Sequence, residues 1–243
     1  MHISVVIPAY NEASVLYETL NKLADYFETK PYSFEFIIVN DCSTDQTADL
    51  VKSFSVTKSY VRLINNEHNR GKGFSVKEGI LQAKGEYILF KDADLSTPPV
   101  ELEKMLSELD HGYDVAIGSR ALLESKLLIK QHWLRQSMGK IFNIFVKLFV
   151  LRGIKDTQCG FKCFKNKVAQ RIFSLQRLTR FCFDVEILYI AKKLGYKIKE
   201  VPVSWVNRHD SRVRICCDSL RMFWDLFQIK KNDGLGLYED SVN

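Results

Sequence analysis

The sequence predicts an α/β fold, a doubly wound, Rossmann-like mixed sheet flanked by helices, on two observations. Short β-branched runs alternate with apolar residues at helical spacing from Met1 to Arg120, and polar residues gather where the runs stop. Ile3-Ser4-Val5-Val6-Ile7, closed by Pro8, reads as a buried strand. Asn11 is the expected cap of a helix in which Val15, Leu16, Leu20, Leu23 and Phe27 recur. Phe34 to Asn40 is the next strand, and a strand, helix, strand unit implies parallel pairing. Ser43 to Gln46 reads as a capping box, Val61 to Ile64 as a strand, Gly73 to Ala83 as a helix and Tyr87 to Phe90 as a strand. Thr97 before Pro98-Pro99 reads as a cap leading a helix through Leu109, ahead of the strand Val115 to Ile117.

Beyond Arg120 the alternation breaks. A long helix is expected from about Trp133 to Leu151, another near Asp184 to Leu194, a strand at Ile198 to Val203 and an amphipathic helix at Ile215 to Ile229. Gly234 to Asn243 is expected to be a mobile tail, and no internal repeat or low-complexity stretch is visible.

With 243 residues, 46% of them hydrophobic and 26% charged, the chain can bury a core as one domain. A net charge of +6 without a long Lys/Arg run argues against a nucleic-acid partner and for phosphates or anionic lipid. Six cysteines at 42, 159, 163, 182, 216 and 217 form no CxxC pair, so they read as reduced, cytosolic thiols. Met1-His2-Ile3-Ser4 lacks the basic and apolar segments of a signal peptide, and no secretion is expected. The longest apolar stretch, Ile141 to Leu151, is broken by Asn143 and Lys147 and falls short of the ~20 residues that span a bilayer.

Open α/β sheets bind ligands outside the carboxyl ends of their strands. Four polar groups fall there: Pro8-Ala9-Tyr10-Asn11-Glu12, Asn40-Asp41, Asp92-Ala93-Asp94 and Gly118-Ser119-Arg120. Two carboxylates at Asp92 and Asp94, on a strand leaving its sheet, can converge on a hard cation whose other positions take diphosphate oxygens and water. Spacing alone also fits an Asx-turn closing the strand.

Together these groups resemble the family 2 glycosyltransferases of the GT-A fold. In the second half, Asp156-Thr157-Gln158-Cys159-Gly160-Phe161-Lys162, Phe183-Asp184-Val185-Glu186 and Val203-Ser204-Trp205 are similar to the dolichyl-phosphate β-glucosyltransferases, relatives of dolichyl-phosphate mannose synthase. The resemblance implies a single domain over 1–243, with a nucleotide-sugar-binding half at 1–120, an acceptor- and membrane-facing half at 121–232 and a tail at 233–243. It implies transfer of glucose from UDP-glucose to a polyprenyl phosphate, with inversion and with Mg²⁺ or Mn²⁺. Pro8, Tyr10, Glu12 and Asp41 would line the nucleoside pocket, Asp41 facing the uracil. Asp92 would face ribose and diphosphate, and Asp94 would be the main metal ligand. Arg120 and Arg135 would reach phosphate oxygens, with Gln158 and Arg212 near the acceptor phosphate. Two departures stand out: Ser96 replaces the Gln that mannose synthases carry after the DxD, and Asp210-Ser211-Arg212 replaces a Gly-Ser-Lys. Lys72, within Gly71-Lys72-Gly73, sits at a helix start, which suits an anion, and reads equally as a surface lysine.

In the Trp133 to Arg152 stretch, Gln136, Lys140, Asn143 and Lys147 share one helical side, while Met138, Ile141, Phe142, Phe145, Leu148 and Phe149 form a broad apolar one. This fits either a helix lying in a membrane interface or one packed in a core; aromatic richness and flanking cations favour the interface, with Ile215 to Lys231 as companion. The expected location is the cytoplasmic face of a membrane, the endoplasmic reticulum in a eukaryote; oligomeric state is left open. Asp156 is the base candidate if the acceptor is a sugar hydroxyl; a phosphate acceptor needs none. A non-catalytic module that binds nucleotide sugar at a membrane is the remaining alternative.

Overall fold

The computed structural model describes residues 1–129, 133–206 and 215–239. Seven strands form the central sheet: β1 His2–Ala9, β2 Ser33–Asn40, β3 Val61–Asn65, β4 Tyr87–Lys91, β5 Val115–Ser119, β7 Phe161–Lys165 and β8 Ile198–Pro202, in the order β3-β2-β1-β4-β7-β5-β8. β7 runs antiparallel to both β4 and β5, and the other pairings are parallel. A two-stranded parallel ribbon, β6 Lys126–Ile129 with β9 Ser204–Val206, stands beside it.

Alternate β1 residues feed two cores, as expected of a strand covered on both faces. Ile3, Val5 and Ile7 pack with α1 Ala13–Glu28, α2 Thr47–Thr57 and α4 Leu102–Asp110, whereas Val6 faces α3 Lys72–Leu81, α6 Asn166–Leu175 and α7 Phe183–Lys193. α5 Trp133–Phe149 and α8 Ile215–Gly234 join the second core through Phe142, Val146, Met222, Leu226 and Ile229. Cys159, Cys163 and Cys182 are buried free thiols, and burial pushes Cys159 and Cys163 up to about 12, so they stay protonated packing groups.

The expected caps are corrected. Asn11 does not cap α1; it sits at φ 55°, and its Oδ1 accepts from the backbone N–H of Thr44 and Asp45. Ser43 does not close a capping box on α2, since its Oγ accepts from Asn11 N–H instead. Glu12 N–H donates to Thr47 Oγ1 and Ala13 N–H to Asp45 Oδ2. Parallel pairing of β1 with β2 brings the two following loops side by side, so the capping groups are exchanged across loops. Thr97 makes no cap either: the helix opens with a 3-10 turn, Pro99–Glu101, behind Pro98. The described part of the expected tail is pinned through Tyr238, which is fully buried and donates its O–H to Glu186 Oε1 at 2.6 Å; residues 240–243 lie outside the described residues.

Candidate active site

β4 ends in a turn fastened from below. Lys91, buried at the strand's last position, donates to the carbonyls of Asp92 and Asp94, and Asp92 N–H reaches Gly160 O at 3.0 Å. The Asp94 carboxylate accepts from Ser96 N–H at 2.9 Å and Ser96 Oγ at 2.8 Å, an Asx-turn that aims it. Ser96 therefore orients a carboxylate. The Asp92 carboxylate lies over Gly160, where an added Cβ would fall 2.0 Å from Oδ2, so only glycine permits this approach.

Behind the turn lies a chain of alternating charge. Lys72 Nζ stands 2.7 Å from Asp92 Oδ1, and the fully buried Lys162 pairs with Asp184 and donates to Cys159 O at 2.6 Å. Burial disfavours the Lys72 cation, but Asp92 and Asp184 outweigh it and raise its pKa. Burial pushes Asp184 upward against the pull of Lys162 and Lys72. Lys72 is placed by glycines on either side: a Cβ at Gly71, φ 98°, would meet Thr179 O at 2.6 Å, and one at Gly73 would meet Phe183 Cβ at 2.7 Å.

At the end of β5, Arg120 grips Asp156: Nε to Oδ2 at 2.7 Å, Nη2 to Oδ1 at 2.9 Å, with Arg120 N–H also on Oδ2 at 2.9 Å. Gln158 N–H adds a contact at 3.2 Å, Glu200 accepts from the backbone of Lys155 and Asp156, and Trp205 lies under the guanidinium, 5.5 Å from it. Burial opposes ionisation of Asp156, yet Arg120 overrides it and holds the carboxyl below its ordinary value.

Asp41 is 3% exposed, and its carboxylate accepts from Asn66 Nδ2 (2.8 Å), Arg70 N–H (2.9 Å) and Gly71 N–H (2.8 Å). It thus builds the loop that leads to Lys72. Pro8 is buried at the end of β1, Tyr10 is exposed beside it, and Glu12 opens α1. The structure therefore brings Asp92, Asp94, Lys72, Arg120, Asp156 and Gln158 to one sheet edge. Arg135 belongs to α5, but its side chain, like the whole of Asp210-Ser211-Arg212, lies outside the described residues. No group of three His, Cys, Asp or Glu side chains that could hold a metal ion is present among the described residues. Two hard oxygen donors at Asp92 and Asp94 nevertheless fit Mg²⁺ or Mn²⁺, which take most of their remaining positions from phosphate and water.

Sequence reasoning assigned no separate roles to Lys91, Lys162, Asp184, Gly160 and Glu200. Lysines at otherwise apolar strand positions were the available signal, since a charge is buried only with partners.

The mixed sheet with a DxD turn and a clamped arginine at its carboxyl edge is the arrangement of a glycosyltransferase. Residues 4–173 match the model of glycosyl transferase family 2, and the chain belongs to that family. It is 38% identical to the dolichyl-phosphate β-glucosyltransferase of Dictyostelium discoideum, over 98% of this chain and 77% of the relative. The corresponding figures are 35%, 98% and 77% for the Saccharomyces cerevisiae enzyme of that name, and 36%, 95% and 73% for the human one. Among solved structures, glucosyl-3-phosphoglycerate synthase of Mycobacterium tuberculosis in complex with UDP superposes with a TM-score of 0.67 at 17% identity, covering 94% of this chain and 79% of that one. The same protein has been solved with Mn²⁺ and UDP.

Proposed function

We propose that this enzyme transfers glucose, with inversion, from UDP-glucose to a polyprenyl phosphate of the dolichyl type, at the cytoplasmic face of a membrane. The names of the relatives supply sugar and acceptor; the observation that carries the reading is the state of Asp156. A hydroxyl acceptor needs a base to take its proton. Asp156 accepts four donors and is held acidic, Asp92 is paired with Lys72, Asp94 with Ser96 and Asp184 with Lys162. None of these carboxylates is thus placed as a free base, which suits an acceptor that arrives already charged.

In this reading an acceptor phosphate oxygen attacks the anomeric carbon while the bond to UDP breaks on the opposite face. Asp94, with Asp92, would hold a divalent cation, which when bound would offset charge on the departing diphosphate. Lys72 and the Nη1 side of Arg120 add fixed positive charge, which costs no reorganisation during reaction. Pro8, Tyr10 and Glu12 receive the nucleoside, with Asp41 shaping the neighbouring loop. Arg135, Gln158 and Arg212 receive the acceptor phosphate.

The membrane reading rests on α5 and α8. Phe142 and Val146 of α5 face the core, but Ile144, Leu148 and Phe149 are more than half exposed, as are Trp224 and Phe227 of α8. Ring contacts join the two helices: Phe145 to Phe223 at 5.0 Å and Phe149 to Phe227 at 6.3 Å. Such a contiguous aromatic face is costly in water and suits an interface. No described helix is long and apolar enough to cross a membrane.

The test is a radiolabelled transfer assay over nucleotide sugars, dolichyl phosphate and neutral glycolipid alcohols. UDP-glucose with dolichyl phosphate should give product, and Asp156→Asn should not convert the enzyme to an alcohol acceptor. Turnover of the alcohols with none of the phosphate would overturn the assignment.

A further inference from the structure

Beside the aromatic face, where α5 ends against α7 and α8, lies a groove of about 560 Å³ whose lining includes Lys147, Phe149, Arg152, Tyr189, Lys192 and Asp233. None of its lining residues belongs to the donor edge. Its two walls differ in charge. On one, Lys193 is neutralised by Asp233 at 2.5 Å and Glu239 at 2.9 Å, and Tyr189 O–H donates to Asp233 at 2.6 Å. On the other, Lys147, Arg152 and Lys192 have no carboxylate partner among the described residues, and Lys192 Nζ donates only to the Arg152 carbonyl at 2.8 Å. The C-terminal end of α5 contributes about half a negative charge there, which three cations exceed.

Leu148 and Phe149 form the groove's rim and are more than half exposed, continuous with Phe227 across the ring contact. An apolar face entering the acyl boundary would set those cations at headgroup depth. We propose that this groove is a binding site for the phosphodiester headgroup of an anionic membrane phospholipid, distinct from the acceptor lipid. The inference rests on the membrane-docking reading above. The paired wall accounts for the shape of the groove, with Asp233 and Tyr189 fixing α8 to α7. The unpaired wall provides ligand charge, and a guanidinium at Arg152 suits a phosphate's oxygens in pairs.

The experiment compares co-sedimentation of the full chain with phosphatidylcholine vesicles, with vesicles doped with phosphatidylserine, and with vesicles doped instead with dolichyl phosphate. The proteins are wild type, Lys147→Gln/Arg152→Gln, and the charge-matched control Lys22→Gln/Lys52→Gln on α1 and α2, with circular dichroism confirming the fold. Each cation near an anionic surface contributes roughly five-fold in affinity. The groove variant should therefore lose at least ten-fold of the preference for phosphatidylserine, yet bind neutral vesicles as wild type does, while the control keeps its preference. Equal losses in groove and control variants would reduce the effect to net charge and overturn the proposal. A preference for dolichyl phosphate vesicles that vanishes in the same variant would overturn it in favour of the acceptor. Binding of neutral vesicles without any charge preference would overturn this site alone; no binding to any vesicle would overturn the docking reading with it.

Discussion

The sheet edge that carries Asp92, Asp94 and Arg120 and the face formed by α5 and α8 handle their costly groups in opposite ways. At the edge, Lys72, Lys162, Asp92, Asp156 and Asp184 all have opposite charges within reach, some fully buried. On the helical face, apolar rings are left uncovered. Pairing fixes positions to within a fraction of an ångström but adds little net stability, because desolvation offsets attraction. Uncovered apolar area fixes no position and offers adhesion without direction. On the docking reading proposed above, one region places atoms and the other holds a surface.

The strongest way to break this contrast is Asp184→Asn, which leaves the buried Lys162 cation with neutral acceptors and without the counter-charge it pairs with. It should destabilise folding by about 3–5 kcal/mol, read from urea unfolding; a loss under about 1 kcal/mol would show that the buried pair is dispensable. Asp94→Asn should lower transfer by about two to three orders of magnitude, as when a group facing developing charge is lost, with the unfolding midpoint kept. Excess chelator should mimic it, and full activity in chelator would remove the metal from Asp94. Phe145→Asp with Phe149→Asp should release the protein from liposomes. Full burial of a Phe is worth about 1.5–3 kcal/mol, and these rings are 38% and 52% exposed, so roughly half of that is still available for insertion. Misfolding by circular dichroism would instead make this face part of the core.

The smallest effect concerns pH. Asp156 has a folded pKa below its unfolded value of about 3.9, so its contribution is present above that value and is lost as pH falls through the folded one. Asp184, raised by burial, contributes with the opposite slope. Asp156→Asn should therefore flatten the acid limb of a stability profile; an unchanged limb would mean that the clamp is not formed in solution.

The parallel strands of the first half were legible because β-branched runs, helical spacing and strand ends agree with one another. β7 was hidden, because Phe161-Lys162-Cys163-Phe164-Lys165 has no alternation of the usual kind and its lysine becomes a core residue only through Asp184 on a later helix. α6 follows it at Asn166 with no intervening turn residue to punctuate the change. Among the candidate site residues, Asp92, Asp94 and Arg120 stood out in the sequence because charged groups at strand ends need a reason to be there, and Asp156 because of the family-like string around it. The pairings among them were not legible, because pairing is a property of space: Asp41, for one, also carries the loop at 66–71 through three donors. α5 could be read both ways: Phe142 and Val146 point into the core, while Ile144, Leu148 and Phe149 stay exposed, as the proposed interface requires.

The antiparallel strand β7 carries one more consequence, for the order in which the chain can fold as it is made. It lies between β4 and β5, so Tyr87 waits for Lys165 and Val115 waits for Phe164 before either strand gains that neighbour. A nascent chain that has reached Arg120 therefore carries two apolar strands with open edges, the sort of template on which chains pair with one another. Chains halted there should need chaperone protection, and the sheet closes only when the ribosome has delivered the segment that also places Gly160 beneath Asp92.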